Sequence, residues 1–283
     1  MNQIRIITDT ASDITREQAE AMGVRLVPLT ITFGETKMAM DTEEDFQAFF
    51  ERLYEEKELP KTSQPSPQLY LNEYETARKN GEDVLVLALS GGLSGTVRSA
   101  QLAKELSGYD RIRIIDTRQA ILTQRMLVER AVKRRAEGRS AEEIEKELLE
   151  VRDRMVVCGA LDTLTFLRKG GRIPPGLDII GNVLEFKPVI ELKDGVLVKL
   201  GIARGQKKSR QYLYREYEAV PVDKDWPVYT GYTYDSAAGE SFFRETKERY
   251  QLEGCRMYPV GGVIGTHVGK NCLALAFVRE RNN

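Results

Sequence analysis

A near-continuous apolar run, DVLVLALS (83–90), constrains the fold of this chain more than any other feature of its sequence. Strands buried on both faces read as uninterrupted apolar runs, and such strands belong to parallel sheets that helices cover on both sides. Two other short runs, IRIITD (4–9) and RIRIID (111–116), also have the length of a strand. Because helical patterns separate the three runs, the sequence predicts an α/β unit with a mainly parallel sheet.

The segments between these strands have the spacing of helices with one apolar face. In EEDFQAFFERLYEEKE (43–58), apolar side chains recur at i, i+3, i+4, i+7 and i+8, which is one stripe of a helix. A second helix is predicted to begin with Ser66 as the N-cap residue and Pro67 at the first helical position, and to end at Asn80. The stripe of the first helix consists of Phe46, Phe49, Phe50, Leu53 and Tyr54.

Beyond Arg154 the pattern changes towards paired strands. KPVIELKDGVLVKLGIA predicts a β-hairpin around Asp194-Gly195, which is a favoured two-residue turn. PGLDIIGNVLEF, just before it, predicts a short apolar helix. After the hairpin, helices are predicted over 205–218 and 236–250, with a strand around PVYTGY between them and two strands at the end of the chain.

A chain of 283 residues fits one large domain or two of ordinary size. The change of pattern places a boundary after residue 154. We predict an N-terminal α/β subdomain over residues 1–154, with a mainly parallel sheet. A C-terminal α/β subdomain of mixed α+β character follows over residues 155–283, and the two form one structural unit.

The charge balance excludes some classes of partner. With 42 basic and 43 acidic side chains, the net charge is −1, and no strong field favours nucleic acid or an anionic membrane. Three cysteines lie far apart without a CxxC pair, so no zinc site and no metal cofactor are expected. The sequence has no leader pattern and no run of about 18 apolar residues, which predicts a cytoplasmic protein without stable membrane insertion.

The segment LALSGGLSGT (87–96) joins a buried strand to a helix. Ligands of open α/β sheets bind at the carboxyl ends of the strands. A helix N-terminus adds unpaired backbone N–H groups, and glycines allow a ligand to approach the backbone. The segment therefore has the elements of an anion site that includes Ser94 and Gly95. A tight turn with Ser94 as the N-cap residue explains the same residues equally well.

Ser94 and His267 also allow a serine hydrolase. A nucleophile elbow has the pattern G-x-S-x-G, but here Thr96 stands at the last position, so the match fails by one residue. No phosphate-binding or dinucleotide-binding glycine motif is present. A hydrolase would also need a carboxylate that orients the imidazole. The candidates follow strand-like runs and are Asp9, Asp116 and Asp235.

His267 is the one histidine of the chain, and it lies in the glycine-rich segment GGVIGTHVGK (261–270). A binding role and a purely structural role are both open for it. Thr62 and Ser63 precede a helix in KTSQPSP (61–67), where loop and capping hydroxyls are one reading and ligand contacts another.

Two basic segments stand out in a chain of almost zero net charge. LRKGGRIP (167–174) contains Arg172, and ARGQKKSR (203–210) contains Arg204. Solvated basic turns, an anion clamp and a docking site are the alternatives. We predict that Arg172 and Arg204 dock an acidic partner protein, because charges of this kind mainly accelerate association.

Six motifs in order give the chain a resemblance to a known family. They are IITDTASDIT, KTSQPSP, LALSGGLSGT, IDTRQA, LTFLRKGGRI and GGVIGTHVGK, and together they span nearly the whole sequence. The series resembles the DegV family of bacterial fatty-acid-binding proteins. The resemblance implies two α/β subdomains with one long-chain fatty acid, such as palmitate, buried between them. It also implies a protein of lipid transport or fatty acid metabolism that is not an enzyme and has no cofactor.

The resemblance also implies a carboxylate site. It assigns the carboxylate to Thr62 and Ser94 first, and then to Ser63, the Gly95 backbone and His267. Some family members deliver the acid to a fatty acid kinase, which makes such a kinase an expected partner.

This sequence departs from the family pattern at two places. After the histidine the family usually has T-G-P-G, whereas this chain has Val268-Gly269-Lys270-Asn271. The segment TFGETKMAMD lacks the usual turn before the acidic helix. The first departure affects the backbone around His267, and the second affects the entrance or an exposed surface.

Overall fold

The computed structural model describes residues 3–56, 58–173 and 186–281. The strands are β1 (Ile4–Asp9), β2 (Val24–Val27), β3 (Thr30–Phe33), β4 (Thr36–Met38), β5 (Lys61–Ser63), β6 (Asp83–Ala88), β7 (Ile112–Asp116), β8 (Met155–Ala160), β9 (Phe186–Lys193), β10 (Val196–Arg204), β11 (Tyr229–Tyr232), β12 (Arg256–Pro259) and β13 (Leu273–Val278). The helices are α1 (Arg16–Met22), α2 (Glu43–Glu55), α3 (Pro67–Asn80), α4 (Thr96–Ser107), α5 (Ile121–Ala136), α6 (Ala141–Arg152), α7 (Thr165–Lys169), α8 (Gln206–Glu218), α9 (Ser236–Tyr250) and α10 (Gly262–Val268).

The first sheet is parallel, as predicted. Its strand order is β2-β1-β6-β7, and every neighbouring pair within it runs parallel. From Val84 to Ala88 the central strand β6 is completely buried. Helices cover the sheet, which explains why DVLVLALS is apolar at almost every position.

The second sheet is mixed, and its strand order is β10-β9-β8-β13-β11-β12. The predicted hairpin joins β9 to β10, and both turn residues have positive φ, 50° at Asp194 and 82° at Gly195. Strand β8 runs antiparallel to β13, while β11 and β12 run parallel to each other. The α/β fold with a mixed C-terminal sheet is thus confirmed, and the boundary after residue 154 stays a prediction.

A small third sheet, β4-β3-β5, was not predicted. It places Thr62 and Ser63 in β5, where Thr62 pairs with Ile31 of β3. The sequence analysis treated these two residues as part of a loop. A strand of three residues is too short to show an alternating pattern, so only its pairing with β3 identifies it.

Helix α10 was also not predicted, because the sequence analysis expected only two strands after α9. Its glycines have low helix propensity, which hides the helix in the sequence. The glycines are needed for packing. A Cβ atom at Gly262 would lie 2.7 Å from the ring of Phe49, and one at Gly265 would lie 2.6 Å from the ring of Phe50.

Three further points of the sequence analysis concern a predicted helix, membrane-spanning segments and metal sites. The predicted apolar helix in PGLDIIGNVLEF lies outside the described residues, apart from Phe186, which begins β9. Within the described residues, no helix is long and apolar enough to cross a bilayer. The same residues contain no cluster of three or more side chains that could hold a metal ion.

Candidate functional site

A cavity of about 370 Å³ lies where the two larger sheets and helix α10 meet. Its volume is within the range of about 300–1,000 Å³ that is usual for small-molecule pockets. Most of its wall is apolar and comes from both halves of the chain. The apolar lining includes Leu29, Leu89, Ile121, Val157, Leu161, Ile190, Leu192, Val263 and Ala274.

The polar groups of the lining come from four segments that are distant in sequence: β5 with the residue after it, the turn before α4, Arg172 after α7, and the C-terminal part of α10. The Thr62 hydroxyl lies 3.2 Å from Nε2 of His267 and so joins β5 to α10. The structure therefore brings together all five residues that the sequence analysis assigned to the carboxylate. They are Thr62, Ser63, Ser94, Gly95 and His267.

The turn before α4 leaves a helix N-terminus without a side-chain cap. Gly95 is the N-cap residue, and Ser94 is not, so the interpretation of Ser94 as an ordinary N-cap was wrong. Its hydroxyl instead lies 2.9 Å from the hydroxyl of Thr96. The first backbone N–H groups of a helix have no partner within it and favour an anion.

Gln64 explains why position 95 is glycine. A Cβ atom at Gly95 would lie 1.8 Å from Oε1 of Gln64, so any side chain there would displace the glutamine. Gln64 is held by a hydrogen bond from its Nε2 to the Ser99 hydroxyl at 2.8 Å. The sequence analysis did not assign Gln64 to the site, although it stands beside Ser63 in the KTSQPSP motif.

The β9–β10 hairpin, which belongs to the C-terminal half of the chain, contacts the turn before α4. The Ser90 hydroxyl donates a hydrogen bond to the Gly195 carbonyl at 2.6 Å. A Cβ atom at Gly92 would lie 2.3 Å from that carbonyl oxygen. The glycines of LALSGGLSGT therefore allow the hairpin to approach the loop as well as leaving room for a ligand.

The surroundings of His267 favour the uncharged form of its imidazole. Burial, with a smaller effect from the positive charge of Arg172, lowers its pKa from 6.5 to about 4. Nδ1 has no hydrogen-bond partner among the described residues, and a Cβ atom at Gly170 would lie 2.3 Å from it. At neutral pH the ring is thus uncharged and carries one N–H that can donate to a ligand.

These contacts do not form the catalytic triad of a serine hydrolase. A triad needs a serine bonded to the histidine and a carboxylate bonded to the other ring nitrogen. In this structure Ser94 pairs with Thr96, and His267 pairs with Thr62. The candidate acids bind backbone N–H groups elsewhere: Asp9 that of Leu89, Asp116 that of Gly91 and Asp235 that of Ala238.

The two arginines predicted to dock a partner differ in position. Arg172 is exposed but also lines the cavity, and it donates to the carbonyls of Gly170 at 2.6 Å and Leu93 at 3.3 Å. This position fits the alternative of an anion clamp as well as that of a docking residue. Arg204 ends β10 on an exposed surface and is not among the residues that line the cavity.

Both departures from the family pattern affect helix α10. Val268 lines the cavity, and Gly269 ends the helix with a φ of 74°. A Cβ atom at Gly269 would lie 2.5 Å from the ring of Phe166. TFGETKMAMD forms β4 and leads to Met40, whose sulfur accepts the N–H of Gly262 at 3.2 Å.

Known proteins resemble this chain over its whole length. The DegV family model, described as an uncharacterised DegV family, matches residues 3–280. A DegV domain-containing protein of Caldanaerobacter subterraneus is 32% identical over 293 residues, which cover 98% of this chain and 99% of that protein. A solved DegV family protein from Thermus thermophilus, described by its fatty acid binding, is 31% identical with a TM-score of 0.87, covering 98% of this chain and 100% of that chain. A stearic-acid-binding protein from Eubacterium ventriosum is 26% identical with a TM-score of 0.84, and 98% of each chain is covered.

Proposed function

The chain belongs to the DegV family, and we propose that it binds one long-chain fatty acid, such as palmitate, in the cavity between its two halves. The observation that carries this proposal is the composition of the cavity wall. An apolar lining from both sheets is combined with hydroxyls, an uncapped helix start and a neutral histidine. The fatty acids named for the Thermus thermophilus and Eubacterium ventriosum proteins support the same ligand class.

In this proposal the carboxylate lies between β5, the start of α4 and the end of α10. Ser94 donates its hydroxyl, with Ser63 beside it, Gly95 supplies its backbone N–H, and the hydrogen-bonded pair of Thr62 and His267 supplies one further donor. Arg172, on the rim of the same cavity, contributes the positive charge that a buried carboxylate requires. A hydrogen bond to such a charged group contributes about 1.5–3 kcal/mol.

The acyl chain supplies most of the affinity. Burying one methylene contributes about 0.8 kcal/mol, so roughly fourteen of them give on the order of 11 kcal/mol before costs. Association and ordering offset several kcal/mol of this. The polar groups mainly prevent the penalty of an unpaired carboxylate and fix the orientation of the acid.

We propose that the protein carries the acid without changing it, in lipid transport or fatty acid metabolism, and presents it to a fatty acid kinase. The exposed Arg172 and Arg204 would form the docking surface for that partner. We place the protein in the cytoplasm. The three cysteines of this chain are free and buried, which suits a reducing compartment.

A competition titration on delipidated protein tests the proposed ligand. Palmitate and oleate should bind, and Thr62→Val should weaken each acid by about 10- to 100-fold, the equivalent of one charge-assisted hydrogen bond. Thr32→Val is the matched control, because Thr32 lies on β3 of the same small sheet and is not among the residues that line the cavity. Delipidated, folded protein that takes up neither acid would refute the proposal.

A further inference from the structure

Helix α10 belongs to the C-terminal half of the chain but packs on the N-terminal half. Its glycine face lies flat against α2, where Gly262 contacts Phe49 and Gly265 contacts Phe50. Four of its other residues, Val263, Ile264, His267 and Val268, line the cavity. No side chain of the packed face anchors the helix, so contacts at its two ends add to the close packing of the glycines in fixing its position.

Asp13 holds the N-terminal end of α10. The N-cap residue Gly261 has no side-chain cap of its own, and its N–H donates to Oδ1 of Asp13 at 3.0 Å. Asp13 is buried and has a φ of 54°, in the left-handed region where aspartate is enriched among non-glycine residues. Its second carboxylate oxygen has no hydrogen-bond partner among the described residues. The carboxyl group of Asp13, whose pKa burial raises to about 8, is therefore directed at the start of the helix by its bond to Gly261.

Tyr54 holds the C-terminal end. Its hydroxyl accepts the backbone N–H of Lys270 at 3.3 Å. The Lys270 ammonium lies 4.3 Å from the ring centre of Tyr54 and 3.8 Å from that of Tyr234. These contacts form within Val268-Gly269-Lys270-Asn271, where the sequence departs from the family pattern.

We propose that Asp13 and Tyr54 are positioning residues, which hold α10 at both ends and so fix His267 against Thr62. The bond between Thr62 and His267 is 3.2 Å long, and a shift of about 1 Å along α10 would break it. This inference rests on the proposed function for its effect on ligand binding. The geometry of the helix can be measured without any ligand.

The single histidine makes the position of α10 directly measurable. NMR of tag-free, ligand-free protein shows the ring resonances of one imidazole only, so their titration belongs to His267 without further assignment. In the wild type the pKa should be near 4, because burial lowers it from 6.5. Asp13→Ala and Tyr54→Phe should each raise this pKa towards 6.5. Asp13→Asn should keep the wild-type pKa of His267, because the amide oxygen of asparagine still accepts the Gly261 N–H.

Binding to the delipidated protein is the second measurement. Each of the two variants should bind palmitate about fivefold more weakly, the effect of one hydrogen bond, and should bind hexadecanol as the wild type does. Glu191→Gln and Tyr250→Phe are the controls, since they remove a buried carboxyl and a tyrosine hydroxyl whose partners lie outside α10.

Tyr54 is 49% exposed and keeps its ring as phenylalanine, so Tyr54→Phe tests the inference even if Asp13→Ala does not fold. A wild-type imidazole pKa and a wild-type acid-to-alcohol ratio in folded Tyr54→Phe and Asp13→Ala proteins would overturn the inference. A wild type that binds no acid would instead overturn the proposed function, and the imidazole titration would still test the positioning.

Discussion

The hydroxyl of Thr62 lies 3.2 Å from Nε2 of His267, although 205 positions separate the two residues in the chain. Thr62 belongs to the small sheet of the N-terminal half, and His267 belongs to α10 of the C-terminal half. Neither half alone contains all the polar groups of the site. A carboxylate bound there therefore depends on the packing of the two halves.

We expect His267→Ala to weaken fatty acid binding by about 1–3 kcal/mol without abolishing it, because the hydroxyls of Thr62 and Ser94 remain. A fatty alcohol of equal length should be nearly unaffected. Ser94→Ala combined with His267→Ala should cost more than either change alone and show coupling, since both groups contact one ligand. Competition titrations with acid and alcohol measure this. Unchanged acid affinity with a lower melting temperature would make the histidine purely structural.

The buried imidazole of His267 contributes to the pH dependence of the protein's folding stability. Burial lowers the pKa of His267 from 6.5 to about 4, so the unfolded chain takes up its proton at a higher pH than the folded protein does. The contribution of His267 to the stability of the ligand-free protein should therefore be constant above pH 6.5 and become unfavourable as the pH drops towards 4, by on the order of 3 kcal/mol. Urea unfolding of wild type and His267→Gln at pH 7 and pH 5 checks this. Parallel pH profiles for the two proteins would exclude the effect.

Much of the fold could be predicted because its elements carry local signals. Helix α3 begins at Pro67 and ends at Asn80, and α9 spans 236–250, both as predicted. Capping residues and apolar spacing are local properties of the sequence. Tyr54 was placed on the apolar stripe of α2 and is instead 49% exposed, because the structure uses its hydroxyl and ring to hold Lys270.

The site was harder to predict than the fold. The motifs identified Thr62, Ser94 and His267, yet the sequence gives no measure of their separation. The strand β5 and the helix α10 that carry two of them were missed. Both depend on tertiary contacts, namely the pairing of β5 with β3 and the packing of glycines on phenylalanine rings.

The protein should not hydrolyse esters or amides. Ser94 and His267 form their hydrogen bonds with Thr96 and Thr62 instead of with each other, and the free ring nitrogen of His267 has no carboxylate partner among the described residues. A fluorophosphonate label should leave Ser94 unmodified. Turnover of a p-nitrophenyl ester that disappears in Ser94→Ala would show this expectation to be mistaken.

Charge reversal should distinguish the role of Arg172 from that of Arg204. Arg204→Glu should weaken a partner complex in a salt-sensitive way and leave the lipid content intact, because Arg204 is not among the residues lining the cavity. Arg172→Glu should reduce the fatty acid content as well, since Arg172 lines the cavity. Lipid content by mass spectrometry and partner binding at two salt concentrations provide the readout. Full lipid content in Arg172→Glu would assign this arginine to docking alone.

Mass spectrometry of protein purified from a bacterial host without delipidation tests whether the cavity holds a fatty acid. The measurement compares the intact mass under native conditions with the mass of the denatured chain and identifies what gentle extraction releases. We expect one long-chain fatty acid per chain. Protein that is empty as purified, and that takes up neither palmitate nor oleate when they are added, would contradict it.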